Sequence, residues 1–94
     1  MYKKFGQFID GKWQKSQSND TYDVINPANE ELIGAASKAN SHDVQKALES
    51  SAEGLTVWSN TSPWERAKIL RKISEIMRKK VDILSKWLTL EVGK

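Results

Sequence analysis

Ser62-Pro63-Trp64-Glu65 is the strongest local instruction in the chain. A serine three residues ahead of a glutamate forms a capping box. A proline at the first helical position gives up an N–H that would have had no helical partner. A helix is therefore expected to begin at Pro63. Behind it an apolar stripe runs through Ala67, Leu70, Ile73, Met77, Leu84 and Leu88, widened by Ile69, Ile76, Val81 and Trp87. Arg78-Lys79-Lys80 interrupts that stripe. The spacing predicts a kink or short break over 79–82 and two consecutive helices, with Asp82 capping the second.

An earlier helix is expected behind Ser41 as N-cap, with Asp43 placed to favour the positive end of the helix dipole. Its stripe is Val44, Ala47, Leu48, Ala52, Leu55 and Trp58, in steps of three and four. Gly54 is a mild weakness in it, and Ser59-Asn60-Thr61 closes it.

The first forty residues read as strands. Phe8-Ile9-Asp10-Gly11-Lys12-Trp13 has the form of a tight hairpin, because Asp-Gly tolerates the two positive φ angles of a type I′ turn. Residues 15–20 are polar and turn-prone. Thr21-Tyr22-Asp23-Val24-Ile25 has strand composition, and Asn26-Pro27 ends it, since proline donates nothing to a ladder and restricts the residue before it. After a turn over 28–31, Leu32-Ile33-Gly34-Ala35-Ala36 returns as the partner strand. The expected fold class is α+β: two N-terminal β-hairpins over 1–40, then two or three amphipathic helices over 41–94.

The chain has 94 residues, enough for one small domain with a thin core. Its hydrophobic fraction is 38% and its charged fraction 29%, as in ordinary globular protein. No apolar run approaches membrane-spanning length, and Met1-Tyr2-Lys3-Lys4-Phe5 has no apolar stretch behind its basic pair, so no secretory signal is read. The absence of cysteine excludes a disulfide scaffold and cysteine-based metal sites, and fits a cytoplasmic protein. The net charge of +3 hides an asymmetry. Residues 1–60 carry 6 Lys/Arg against 8 Asp/Glu, for −2, and residues 61–94 carry 9 against 4, for +5.

Taken in order, the hairpin at 8–13, the Asn26-Pro27-Ala28-Asn29-Glu30 turn, the Asp43-Val44-Gln45-Lys46-Ala47 helix with Trp58 near its end, the Glu65-Arg66-Ala67 helix start with Leu70 one turn on, and Thr89-Leu90-Glu91-Val92-Gly93-Lys94 resemble the N-terminal portion of an aldehyde dehydrogenase. Each motif is weak alone; their order and spacing together are specific. The resemblance covers the chain from about Gln7 to Lys94. The Thr-Leu-Glu-x-Gly-Lys form hints at the succinate-semialdehyde dehydrogenase branch.

What the resemblance implies belongs to a larger enzyme. A cysteine thiolate attacks the aldehyde carbon, the adduct passes hydride to NAD or NADP, and a glutamate-activated water releases the acid. None of those groups lies within these residues. No Gly-x-Gly-x-x-Gly occurs, since the five glycines at 6, 11, 34, 54 and 93 are scattered. No catalytic or cofactor-binding residue is therefore assigned. The chain is expected to be an N-terminal structural piece, inactive alone, whose partner is the remainder of the enzyme and whose full form is a homo-oligomer. In some family members an acidic residue matching Glu91 helps bind a monovalent cation with backbone carbonyls that correspond here to Val24 and Ile25. Those three are the candidate metal ligands.

The other chemistry-bearing residues read more plainly. His42 is the single histidine, and one histidine without cysteine makes no ordinary zinc site. Lys68, Arg71, Lys72, Lys79 and Lys80 offer a basic helix face without the aromatic interleaving of a nucleic-acid surface. Arg71 and Glu75 have the four-residue spacing of a helical ion pair. Trp58 and Trp64 flank the helix–helix turn and are expected to pack there. The alternative to an enzyme piece is a standalone basic helical module that binds a protein or nucleic acid. With its stripes uncovered, the chain alone is expected to self-associate.

Overall fold

A computed structural model describes residues 6–94. The basic start read above, Lys3-Lys4, lies outside them. The strands are β1 (Gln7–Ile9), β2 (Lys12–Gln14), β3 (Thr21–Ile25) and β4 (Leu32–Ser37). The helices are α1 (Ser41–Ser59), α2 (Pro63–Lys79) and α3 (Val81–Val92). The α+β order expected from the sequence is the order observed.

Two separate antiparallel hairpins form, β1–β2 and β3–β4. In the first, Asp10 at φ 55° and Gly11 at φ 73° make the two-residue turn that Asp-Gly predicts. Phe8 pairs with Trp13 across it, with ring centroids 5.0 Å apart and planes tilted by 59°. Ile9 points to the other face, where β1 packs on α1. Two polar contacts fix that packing: Lys46 Nζ donates to Gln14 Oε1 at 2.9 Å and Ser50 Oγ to Asp10 Oδ1 at 3.2 Å.

The second hairpin pairs Thr21 with Ser37 and Ile25 with Leu32, with a bulge at the Val24/Ile25 step that leaves Ile33 out of register. β4 runs one residue beyond its expected end, because Lys38 N–H donates to Asp20 carbonyl oxygen at 2.8 Å and keeps the strands together. Between the strands, Asn26 organises the turn. Its Oδ1 accepts from Ala28 N–H at 2.9 Å and its carbonyl accepts from Glu30 N–H at 2.8 Å. Asn29 Oδ1 accepts from Glu31 N–H at 3.0 Å.

The helix ends correct the sequence reading in detail. Asn40, not Ser41, is the N-cap of α1: its backbone is extended and its side chain accepts from Asp43 N–H. Asn40 stands three residues before an acid, whereas the residue three after Ser41 is Val44, which can return no bond. At α2, Glu65 N–H donates to Ser62 Oγ at 3.2 Å, which is half of the expected box. The break is observed at Lys80, which ends α2 and begins α3. Asp82 does not cap α3; it lies in the first turn, and no side chain caps that end. Arg71 and Glu75 form no ion pair. Trp58 and Trp64 do not pack together: Trp64 is 85% exposed and no ring contact joins them.

The helices do not fold back on one another into a bundle. The radius of gyration is 16.5 Å, against about 12 Å for a globular domain of this length. Among the described residues Ile9 is the one buried apolar side chain. Leu48 and Leu55 on α1, Leu70 and Ile73 on α2, and Leu84 and Leu88 on α3 all lie open to solvent. Amphipathic faces of this extent are normally covered. No helix among the described residues is long and apolar enough to cross a membrane.

Candidate functional site

Beside the packing of β1 on α1, two further joints hold the hairpins to the helices. The first centres on Asp43, in the opening turn of α1, which is 3% exposed. Its Oδ2 accepts from Asn40 N–H at 2.9 Å, which closes the capping box, and from Ser16 Oγ–H at 2.8 Å. Its Oδ1 accepts from Gln17 N–H at 3.1 Å. Asn40 Nδ2 donates to Gln17 Oε1 at 2.9 Å, and Ser16 N–H donates to Ser37 Oγ at 3.1 Å. The segment leaving β2 and the start of α1 thus meet on one carboxylate, and the end of β4 joins them through Ser16.

Donors converging on an anion favour its charged form. The backbone N–H of Asn40 contributes most, burial opposes it, and Ser16 and Gln17 add to the lowering; the Asp43 carboxyl falls from 3.8 to about 2. The helix N-terminus favours the same charge. An aspartate held ionised by the loop at Ser16 and Gln17 and by the start of its own helix is suited to fastening rather than to proton transfer. Asp43 lies at the helix dipole as expected, and its link to Ser16 has no counterpart in the sequence expectations. The Asn-x-x-Asp spacing was the available signal for the cap; nothing local signalled the serine.

The second joint lies at the other end of the chain. α3 ends at Gly93, whose φ of 81° is left-handed. Gly93 and Lys94 N–H both donate to the Thr89 carbonyl, at 2.9 and 3.1 Å. Gly93 sits against the turn between β3 and β4: a Cβ there would lie 2.9 Å from Ala28 N and 3.1 Å from Pro27 Cβ. Only glycine suits both the dihedral and the approach.

The three candidate cation ligands lie near this joint. Val24 is half-buried and Ile25 exposed at the end of β3, and Glu91 is exposed in the last turn of α3. The seat of Gly93 on Pro27 and Ala28 brings the two segments that carry them side by side. No group of three or more His, Asp or Glu side chains able to hold a metal forms among the described residues. His42 is exposed, as are Lys68, Arg71, Lys72, Lys79 and Lys80.

Comparison with known proteins gives these joints a context. The model of a protein family described as the aldehyde dehydrogenase family matches residues 13–94. The fold is similar to that of betaine aldehyde dehydrogenase from Staphylococcus aureus, solved with NAD+, at a TM-score of 0.88 and 31% identity over 95% of this chain and 18% of that one. It is similar to an NADP-dependent enzyme of E. coli at 0.88 and 33%, over 96% of this chain and 19% of the other. It also resembles 3,6-anhydro-L-galactose dehydrogenase at 0.88 and 26%, over 96% and 19%. The chain therefore spans less than a fifth of the length of each. These relatives lend no support to the succinate-semialdehyde branch hinted at by residues 89–94, nor to a standalone basic module.

Proposed function

Because the chain belongs to the aldehyde dehydrogenase family, we propose that it is the N-terminal structural part, 1–94, of an enzyme that oxidises an aldehyde to a carboxylate with NAD+ or NADP+, and that it has no activity alone. One observation carries the reading. Three amphipathic helices stand open beside a single buried apolar side chain among the described residues. Faces of that kind are made for surfaces supplied from elsewhere. The solved relatives, which this chain matches over less than a fifth of their length, are the kind of protein that supplies them.

In this reading the hairpins of 1–40 and the helices of 41–94 form a scaffold that docks on the rest of the chain. The remainder brings the cysteine nucleophile, the base and the nucleotide site. NAD+ in one solved relative and NADP dependence in another support the nicotinamide class. The full enzyme is read as a cytoplasmic homo-oligomer. The Val24 and Ile25 carbonyls and the Glu91 carboxylate contribute to a monovalent-cation site. Oxygen donors suit a hard cation, and the closeness of α3's end to the turn after Ile25 supports the assignment.

The test is to assay residues 1–94 and the full-length protein side by side with NAD+ and NADP+ over a panel of aldehydes. Reduced nicotinamide is expected from the full-length protein only. Turnover by residues 1–94, or none by the full-length protein with any aldehyde, would overturn the reading.

A further inference from the structure

We propose that Gly93 is a latch: the end of α3 clips onto the 26–31 turn and couples α3 to the β3–β4 hairpin, with Lys80 as the hinge. The chain contains its own control for this idea. Gly93 and Gly11 share a positive φ, 81° and 73°. A Cβ added at Gly11 would meet nothing within 4 Å, whereas at Gly93 it would press on Ala28 N and on Pro27. Gly11 is therefore required by its dihedral alone, and Gly93 by its dihedral and by a neighbour distant in sequence.

That neighbour has little room to give. The turn is cross-braced by the bonds from Ala28 N–H to Asn26 Oδ1, Glu30 N–H to the Asn26 carbonyl and Glu31 N–H to Asn29 Oδ1. Proline at 27 fixes one more dihedral. At its other end α3 starts weakly. Lys80 has φ −109° and ψ 15°, outside regular helix, and no side chain caps the first turn. A helix with an uncapped start is weakly held at that end, and the seat at Gly93 is a fixed point that ties its far end to the hairpin. Release at Gly93 is expected to loosen α3 beyond its last turn.

Hydrogen–deuterium exchange on the full chain separates the two cases. For Gly93→Ala, exchange is expected to rise by about tenfold or more both along α3 and in the 26–31 turn. For Gly11→Ala the rise stays within 7–14. If Gly93→Ala raises exchange only at 89–94, with the turn unchanged, Gly93 is a helix cap and the latch is overturned. Should Gly93→Ala fail to accumulate as folded protein, Asn26→Ala carries the test from the opposite side. Loosening the turn must then speed exchange along α3; unchanged α3 amides would overturn the proposal.

Discussion

Ser16 Oγ donates to Asp43 Oδ2 at 2.8 Å, and through that bond the segment leaving the first hairpin is fastened to the first turn of α1. The two residues are remote in sequence, so the bond stabilises tertiary order rather than a local cap. It is one of the points at which the strand-rich and helical halves of the chain are joined.

The first prediction concerns acid. The Asp43 carboxyl is lowered from 3.8 to about 2, chiefly by the Asn40 N–H. A carboxyl whose folded pKa lies below its unfolded one stabilises the fold fully above the unfolded value, and the contribution fades as pH falls towards the folded one. Unfolding midpoints of the full chain should hold level above about pH 4 and drop between there and about pH 2. Asp43→Asn should start lower at neutral pH and show a shallower acid step. Equal steps in both chains would show that Asp43 is not the group responsible.

The caps give a graded series. Ser62→Ala removes one N-terminal bond and is expected to cost about 1 kcal/mol. Asn40→Ala should cost more, because the same side chain also donates to Gln17 and its loss leaves Asp43 half of a box. Urea unfolding of the two variants, measured on the full chain, ranks them. The reverse order would mean that the α1 cap is less important than its bonds suggest.

Gly54 offers a stabilising change. It lies inside α1, where a Cβ would meet nothing within 4 Å. Gly54→Ala should raise stability by about 0.5–1 kcal/mol, since glycine loses more backbone freedom in a helix than alanine does. A fall in the midpoint would reveal a close neighbour on that face supplied by the rest of the enzyme.

Residues 1–94 by themselves should form dimers or larger species in sedimentation, because the α1 to α3 stripes are uncovered. Leu48→Glu with Leu70→Glu should shift them towards monomer. The same pair placed in the full-length protein should lower the yield of folded enzyme, where the stripes are needed for docking. A clean monomer of the unaltered segment at high concentration would count against the open faces.

Most of the architecture was legible because its signals are local. Asp10-Gly11 dictates its own turn, Asn26-Pro27 ends a strand, and Arg78-Lys79-Lys80 breaks the stripe where α2 meets α3. The errors at Ser41 and Asp82 came from choosing a capping residue by type without asking what stands three positions on. The joints were not legible. Ser16 carries no mark of Asp43, and only the family resemblance, which set Glu91 with Val24 and Ile25, brought the end of α3 near Pro27. Contacts of that kind depend on where whole elements come to rest, and only the order and spacing of the motifs implied that they exist.

The break at Lys80 has a consequence for the life of the protein outside its folded assembly. Arg78, Lys79 and Lys80 are three consecutive basic residues, all exposed, at the one place among the helices where the backbone departs from helical geometry without a capping side chain. Trypsin-like proteases cut after lysine and arginine where the chain is accessible and can open locally. A nick there would cut the covalent link between the hairpins and the helix that carries Gly93, leaving the seat on Pro27 and Ala28 to tie the two together.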